Sequence, residues 1–205
     1  MVSKIARSTL LIVVLGITLT APQTVHARGH DGFYFGGGVM TVPMFTMEDR
    51  LTAPGGASDR INFLPGPGAF LNIGYDFPGT SWGIQMPIEW QYFRLNHQEW
   101  VNSIGSTVEA VWHLVQWSNG CEFHVLGGLG WTHFFEGQLY NNSRATGMNI
   151  EVGPGFSWFF ARGDTRAALT IETPLRYIYF FGDHLSRSGT SVFSIPVRLG
   201  VTIGF

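Results

Sequence analysis

The run Phe193-Ser194-Ile195-Pro196-Val197-Arg198-Leu199-Gly200-Val201-Thr202-Ile203-Gly204-Phe205 places an apolar side chain at every odd position and a small, polar or charged residue at every even one. Successive side chains of a strand point to opposite faces, so this stretch reads as a strand with a greasy side and a wet side. Phe193, Ile195, Val197, Leu199, Val201, Ile203 and Phe205 share the first; Arg198 lies on the second. A soluble sandwich also alternates in this way, but here the pattern recurs along the whole chain behind an export-like leader.

The leader has Lys4 and Arg7, an apolar run from Leu10 to Leu19, and Val25-His26-Ala27 ahead of Arg28. A basic start, a short apolar stretch and a small-residue site are the marks of a cleaved signal peptide over 1–27, leaving a mature domain over 28–205. The apolar run is too short for a membrane helix, which needs about 20 residues, and no later segment approaches that length. Cys121 is the single cysteine, so neither an internal disulfide nor lipidation after the leader is expected. Loss of Lys4 and Arg7 leaves 10 of the 12 basic residues against 14 acidic ones, with no lysine, which argues against nucleic acid as a partner. Charged residues make up 13% of the chain and aromatics 15%, and the 27 glycines suit strands and tight turns rather than helices.

Eight alternating segments bounded by turn residues are expected, near 31–42, 65–77, 81–95, 101–114, 121–136, 145–160, 166–180 and 191–205. Each reaches the roughly 9–11 residues that carry a tilted strand across the hydrocarbon layer. Outward sets follow from parity: Ala69, Leu71, Ile73, Tyr75 and Phe77; Trp82, Ile84, Met86, Ile88, Trp90 and Tyr92; Met148, Ile150, Val152, Phe156, Trp158 and Phe160. Tight connections (77–80, 116–120, 161–165) alternate with longer polar ones (43–60, 137–144, 181–190), the asymmetry of a spanning barrel with both termini on one side. Aromatics gather toward two rims, with Trp82, Trp112, Trp117 and Trp158 at one and Trp90, Tyr92, Trp131, Tyr177 and Tyr179 at the other. The fold class is therefore all-β, an eight-stranded antiparallel transmembrane up-and-down β-barrel.

On its leader, strand count and terminal Phe205, the chain resembles the small eight-stranded outer-membrane barrels of the OmpA, OmpX and OmpW type, and the resemblance spans 31–205. It implies a monomer in the outer membrane of a Gram-negative envelope, surrounded by outer-membrane lipids including lipopolysaccharide. It also implies that Phe205 is read as an assembly signal by the barrel assembly machinery. The expected role is structural or surface-interactive, with no cofactor, no metal and no catalytic residue.

Parity turns Gln85, Glu89, Gln91, Glu109, His113, Glu122, His124, Glu151, Glu172, Arg176 and Arg198 inward. Eight strands enclose a space that side chains can fill, so these groups must satisfy one another. A last hairpin turning near Leu185 sets Glu172 opposite Arg198; a turn near Gly163 sets Glu151 opposite Arg176. A pivot near Glu99 sets Glu89 opposite Glu109, a like-charge pair that Arg176 or Arg198 would have to bridge. His113 is expected opposite Glu122 as a satisfied pair. The eight residues of these four pairs form a network expected to close the lumen, in preference to a site where four central carboxylates against two arginines hold a proton or a cation.

Pro87, Pro154, Pro174 and Pro196 fall inside these strands, where each lacks a ladder N–H. The register that joins Glu172 to Arg198 sets Pro174 opposite Pro196. This resembles the proline-marked gaps of the lipid A palmitoyltransferase barrel and the lateral opening of the OmpW type, and makes passage of small or apolar solutes through the lumen or this seam the alternative function. A bulge absorbing each proline is the plainer expectation. In the loop Asp183-His184-Leu185-Ser186, His184 and Ser186 resemble the His-x-Ser motif of lipid A deacylases. No carboxylate follows between Ser191 and Phe205 to orient the imidazole, so a lipid A-modifying enzyme is the least favoured alternative. Glu48, Asp49, Arg50, Asp59 and Arg60 around Pro54-Gly55-Gly56 mark the first long loop as the expected contact surface.

Overall fold

The computed structural model describes residues 32–46, 51–52, 58–59, 63–95, 99–135, 145–162, 165–181 and 190–205. The leader over 1–27 and the 183–188 loop lie outside these residues. Eight barrel strands run in order: β1 (Gly32–Thr41, continued by Met44–Thr46), β2 (Phe63–Asp76), β3 (Trp82–Leu95), β4 (Glu99–Gln116), β5 (Cys121–Phe135), β6 (Ala145–Arg162), β7 (Arg166–Glu172, continued by Leu175–Phe181) and β8 (Thr190–Ser194, continued by Val197–Gly204). Leu51–Thr52 pairs with Ser58–Asp59 in a small separate ladder.

Each strand pairs antiparallel with its neighbour in sequence, and β1 pairs with β8 from Tyr34↔Gly204 to Thr41↔Val197, which closes the ring. Closure is what lets strands cross a bilayer, since every backbone donor and acceptor then has a partner inside the wall. Among the described residues no helix is long and apolar enough to cross a membrane, so spanning rests on the strands.

The alternation sorts as parity requires. Leu71, Val108, Leu129 and Val152 lie 58–66% exposed on the outer wall, while Asn72, Glu109, Gly128 and Glu151 beside them face inward. Such a wall is stable only in a solvent of acyl chains, where an apolar band flanked by aromatic girdles is at its energetic minimum. Trp82 stacks on Trp112 at 5.4 Å near the tight-turn end, and Trp90 meets Tyr92 edge-on at 4.5 Å toward the other.

Two tight turns are visible in full. At Phe77-Pro78-Gly79-Thr80 the Thr80 N–H donates to the Phe77 carbonyl at 3.1 Å, with proline at the second position and Gly79 at φ +70° in the third. That residue order suits a type II turn. At Trp117-Ser118-Asn119-Gly120, Gly120 takes φ +94° and its N–H donates to the Trp117 carbonyl at 3.0 Å.

Two expected registers are corrected. The β3–β4 ladder closes at Leu95↔Glu99, so the hairpin pivots at position 97 rather than at Glu99. Glu89 therefore faces Gly105 and Glu109 faces Gln85, and the expected Glu89–Glu109 opposition does not form. Likewise His113 sits opposite His124, because the tight turn falls at Trp117–Gly120, and Glu122 sits opposite Gln116 across a bulge at Leu114. Both slips leave the expected inward residues facing inward, but the one-residue bulge switches the alternation of β4 beyond His113, so that even-numbered Gln116 pairs with inward Glu122.

Candidate functional site

The interior is built in layers. Near the tight-turn end Asp76, His113, Glu122 and His124 converge; at mid-height lie Glu89, Glu109, Glu151, Glu172, Arg176 and Arg198; toward the long-loop end the lumen is filled by an apolar cluster including Met40, Val42, Phe93, Val101, Phe134, Ile178 and Phe180.

Adjacent strands supply the mid-height layer. Pairing sets Glu172 opposite Arg198 across β7–β8 and Glu151 opposite Arg176 across β6–β7. Contacts then cross the lumen. Arg176 donates from Nη1 and Nη2 to the two oxygens of Glu89 at 2.6 and 2.8 Å, and from Nε to Glu151 at 2.8 Å. Arg198, fully buried, reaches four carboxylates from four strands: Glu89 at 2.7 Å, Glu109 at 2.8 Å, Glu151 at 3.0 Å and Glu172 at 3.2 Å. A guanidinium has five N–H donors in a rigid plane, which is why arginine rather than lysine can serve this many partners. Gly128 pairs with both Glu109 on β4 and Glu151 on β6, and a Cβ there would come within 2.2 Å of the Val108 carbonyl oxygen. Only glycine lets the wall come this close between the two carboxylates.

Gln85 joins this layer to the rest. Its Oε1 accepts from the Tyr34 hydroxyl at 3.0 Å and from Asn72 at 2.8 Å, while its Nε2 donates to Glu109 at 2.6 Å and Glu172 at 2.9 Å. Below it, His113 sits between two carboxylates, with Nδ1 2.7 Å from Glu122 and Nε2 3.1 Å from Asp76. The His113–Glu122 contact thus forms diagonally, although the two are not opposite in register. A cavity of about 20 Å³, room for about one water, is lined here by Asp76, His113, Glu122, His124 and Glu172 among others.

The prolines act at one level of the wall. The Thr173 N–H donates to the Pro154 carbonyl at 3.0 Å, so Thr173 faces β6 and the next residue, Pro174, faces β8. The Ile195 N–H donates to the Pro43 carbonyl at 3.0 Å, so Pro196 faces β7. Glu172↔Arg198 and Arg176↔Ser194 flank this point in one register, which sets Pro174 against Pro196 at a site where each residue would normally donate to the other. Two ladder bonds are missing from one seam. Pro154 points outward from an unbroken β6. At Pro87 the ladder to β4 lapses between Gln85 and Ile88 while the ladder to β2 continues.

Sequence reasoning placed the ionisable inward set but missed three components: Asp76 as the second partner of His113, Gln85 as the hub, and the apolar half of the lumen. Parity alone could have found Asp76 and the inward Phe93, Val101 and Ile178. Among the described residues no group of His, Cys, Asp and Glu side chains is arranged to hold a metal ion. Phe205 ends the last strand with its N–H donating to the Phe33 carbonyl at 3.2 Å.

A closed ring of eight strands, apolar outside and ionic within, defines a small transmembrane β-barrel. No protein-family model matches the chain, and no curated protein matches it in sequence. Among solved structures it is similar to the outer membrane protein OprG from Pseudomonas aeruginosa, at 14% identity and a TM-score of 0.54, covering 87% of this chain and 99% of that one. It is also similar to Neisserial surface protein A, at 13% identity and a TM-score of 0.56, covering 87% of this chain and 100% of that one. At these identities the likeness is one of fold, and both neighbours are barrels of the outer membrane or cell surface.

Proposed function

We propose that this chain is an outer-membrane barrel with a structural or surface-interaction role, its lumen closed by the ionic layer and its long loops turned to the cell exterior. The observation that carries the closure is Arg198, whose guanidinium spans the lumen to carboxylates on β3, β4, β6 and β7. The apolar cluster above it adds a second seal. Outer-membrane lipids, including lipopolysaccharide, are the surrounding partners, the barrel assembly machinery would read Phe205 during insertion, and the barrel acts as a monomer. The test is single-channel conductance of the purified protein in planar bilayers. The wild-type barrel should be silent, and steady open currents would end the closure reading. Deleting residues 47–60, which leaves the wall strand Met44–Thr46 in place, should spare insertion and abolish surface binding.

A second reading has its own observation: Pro174 and Pro196 leave a two-bond gap in the β7–β8 seam at the level of the ionic layer, between Glu172↔Arg198 and Arg176↔Ser194. An apolar solute or acyl chain would enter the wall there. Replacing both prolines with valine should restore two donors and stop uptake of apolar solutes, whereas undiminished uptake would refute the gate. The lipid A-modifying reading depends on His184 and Ser186, which lie outside the described residues; lipid A mass unchanged by expression would remove it.

A further inference from the structure

Charge in the mid-height layer does not balance. Four carboxylates, Glu89, Glu109, Glu151 and Glu172, meet two guanidiniums, and all six side chains are 7% exposed or less. Uncompensated carboxylates are strongly disfavoured away from water, so the layer must hold something positive besides its arginines.

The contacts show where the deficit lies. Both Glu89 and Glu151 are held by both arginines. Glu109 and Glu172 divide what remains, sharing Nη1 of Arg198 and Nε2 of Gln85. Glu172 has an imidazole as well, with His124 Nε2 3.6 Å away. Glu109 has no second cationic group among the described residues, and it stands across Gly128 from Glu151, the two sharing the Arg198 guanidinium. Glu89 and Glu151 each accept from both arginines, so Glu109 is the least compensated carboxyl of the four and the place where a proton would relieve the deficit.

We propose that the closed lumen stores a proton on Glu109, and that release of this proton in alkaline medium loosens the ionic layer. Protonated, Glu109 is neutral beside Glu151. Ionised, it is a second negative charge against Glu151 with only Arg198 between them, and the layer carries one more unbalanced negative charge. The groups facing it from the other strands are Glu151, Glu172, Glu89, Arg176 and Arg198, with Tyr34 and Asn72 reached through Gln85 and His124 through Glu172. The route to solvent runs down Gln85 and Glu172 to the small cavity at the tight-turn end. There His124, Glu122, His113 and Asp76 follow at successive separations of 3.8, 2.7 and 3.1 Å, and His124 Nδ1 makes no hydrogen bond of its own. A water in that cavity would complete the path.

The proposal rests on the closure reading, so its experiment separates the two. Infrared spectra of the full-length mature barrel refolded in phosphatidylcholine vesicles at neutral pH should contain the carbonyl stretch of a protonated carboxylic acid. Glu109→Gln should remove that band and Glu172→Gln should leave it. Absence of the band from the wild-type barrel overturns the proposal, whatever the variants do, as does a band lost in Glu172→Gln and kept in Glu109→Gln. In the same vesicles the urea-unfolding midpoint of the wild type should fall as pH is raised into the alkaline range, while that of Glu109→Gln stays constant. A wild-type midpoint that alkaline pH leaves no lower than that of Glu109→Gln overturns the loosening step. Steady open currents at neutral pH with the infrared band intact would sink the closure reading and leave the stored proton standing.

Discussion

Removing Arg198 is the severest single change the interior can suffer. Arg198→Met keeps a flexible side chain of similar length but leaves Glu109 and Glu172 with no guanidinium, and Glu89 and Glu151 with Arg176 alone. Removing one partner of a buried ion pair costs about 3–5 kcal/mol, because the abandoned charge stays in a medium that cannot solvate it. Arg198 serves four carboxylates and Arg176 two, so Arg198→Met belongs at or above the top of that range and Arg176→Met near its lower end. Arg198→Lys should fall between wild type and Arg198→Met, since an ammonium keeps the charge yet offers three donors in place of the planar fork. The assay is urea unfolding of the barrel in lipid vesicles followed by tryptophan fluorescence, which senses the wall directly because Trp82, Trp90, Trp112, Trp131 and Trp158 lie on its outer face. Denaturation midpoints are compared at constant slope, so that a change in denatured-state compactness is not mistaken for a change in stability. A loss under about 1 kcal/mol for Arg198→Met, the scale of an exposed pair, would refute the claim that this guanidinium is the keystone of a dry layer. So would a larger loss for Arg176→Met.

Two further outcomes follow from the wall. Leu129→Arg, at the middle of β5 on the lipid face, should cost about 2–4 kcal/mol in the same unfolding assay, the measured scale for a charge at mid-membrane depth; a neutral effect would mean that this face is not in hydrocarbon. Gly128→Ala puts a methyl group 2.2 Å from the Val108 carbonyl oxygen and 2.8 Å from the Glu109 Cα, both backbone atoms that cannot swing aside. Overpacking of this kind costs about 1–3 kcal/mol, so a stabilised Gly128→Ala barrel would show that β4 and β5 are further apart than described.

The β7–β8 pairing shows how far local reasoning carries. Counting from a turn near Leu185 put Glu172 against Arg198 and Pro174 against Pro196, and both alignments are present. The same counting failed between β3 and β4 by four residues, since a pivot at 97 and a pivot at 99 leave the alternation of faces identical. Nothing in the pattern of apolar and polar residues distinguishes the two. The expected His113–Glu122 pair does form, at 2.7 Å, but diagonally, because the turn falls at Trp117–Gly120 and Leu114 bulges out of the ladder.

The amino-acid sequence alone determined the two faces of each strand, the number of strands and the set of ionisable groups turned inward, because a period of two is a local property that survives any even slip. Which of those groups meet was decided only when the ring closed. Arg198 is 109 residues from Glu89 and 89 from Glu109, and they touch because barrel curvature brings β8 across from β3 and β4. The division of the lumen into an ionic layer and an apolar one likewise depends on the height at which each inward residue comes to rest, which register and closure set together and no single strand encodes.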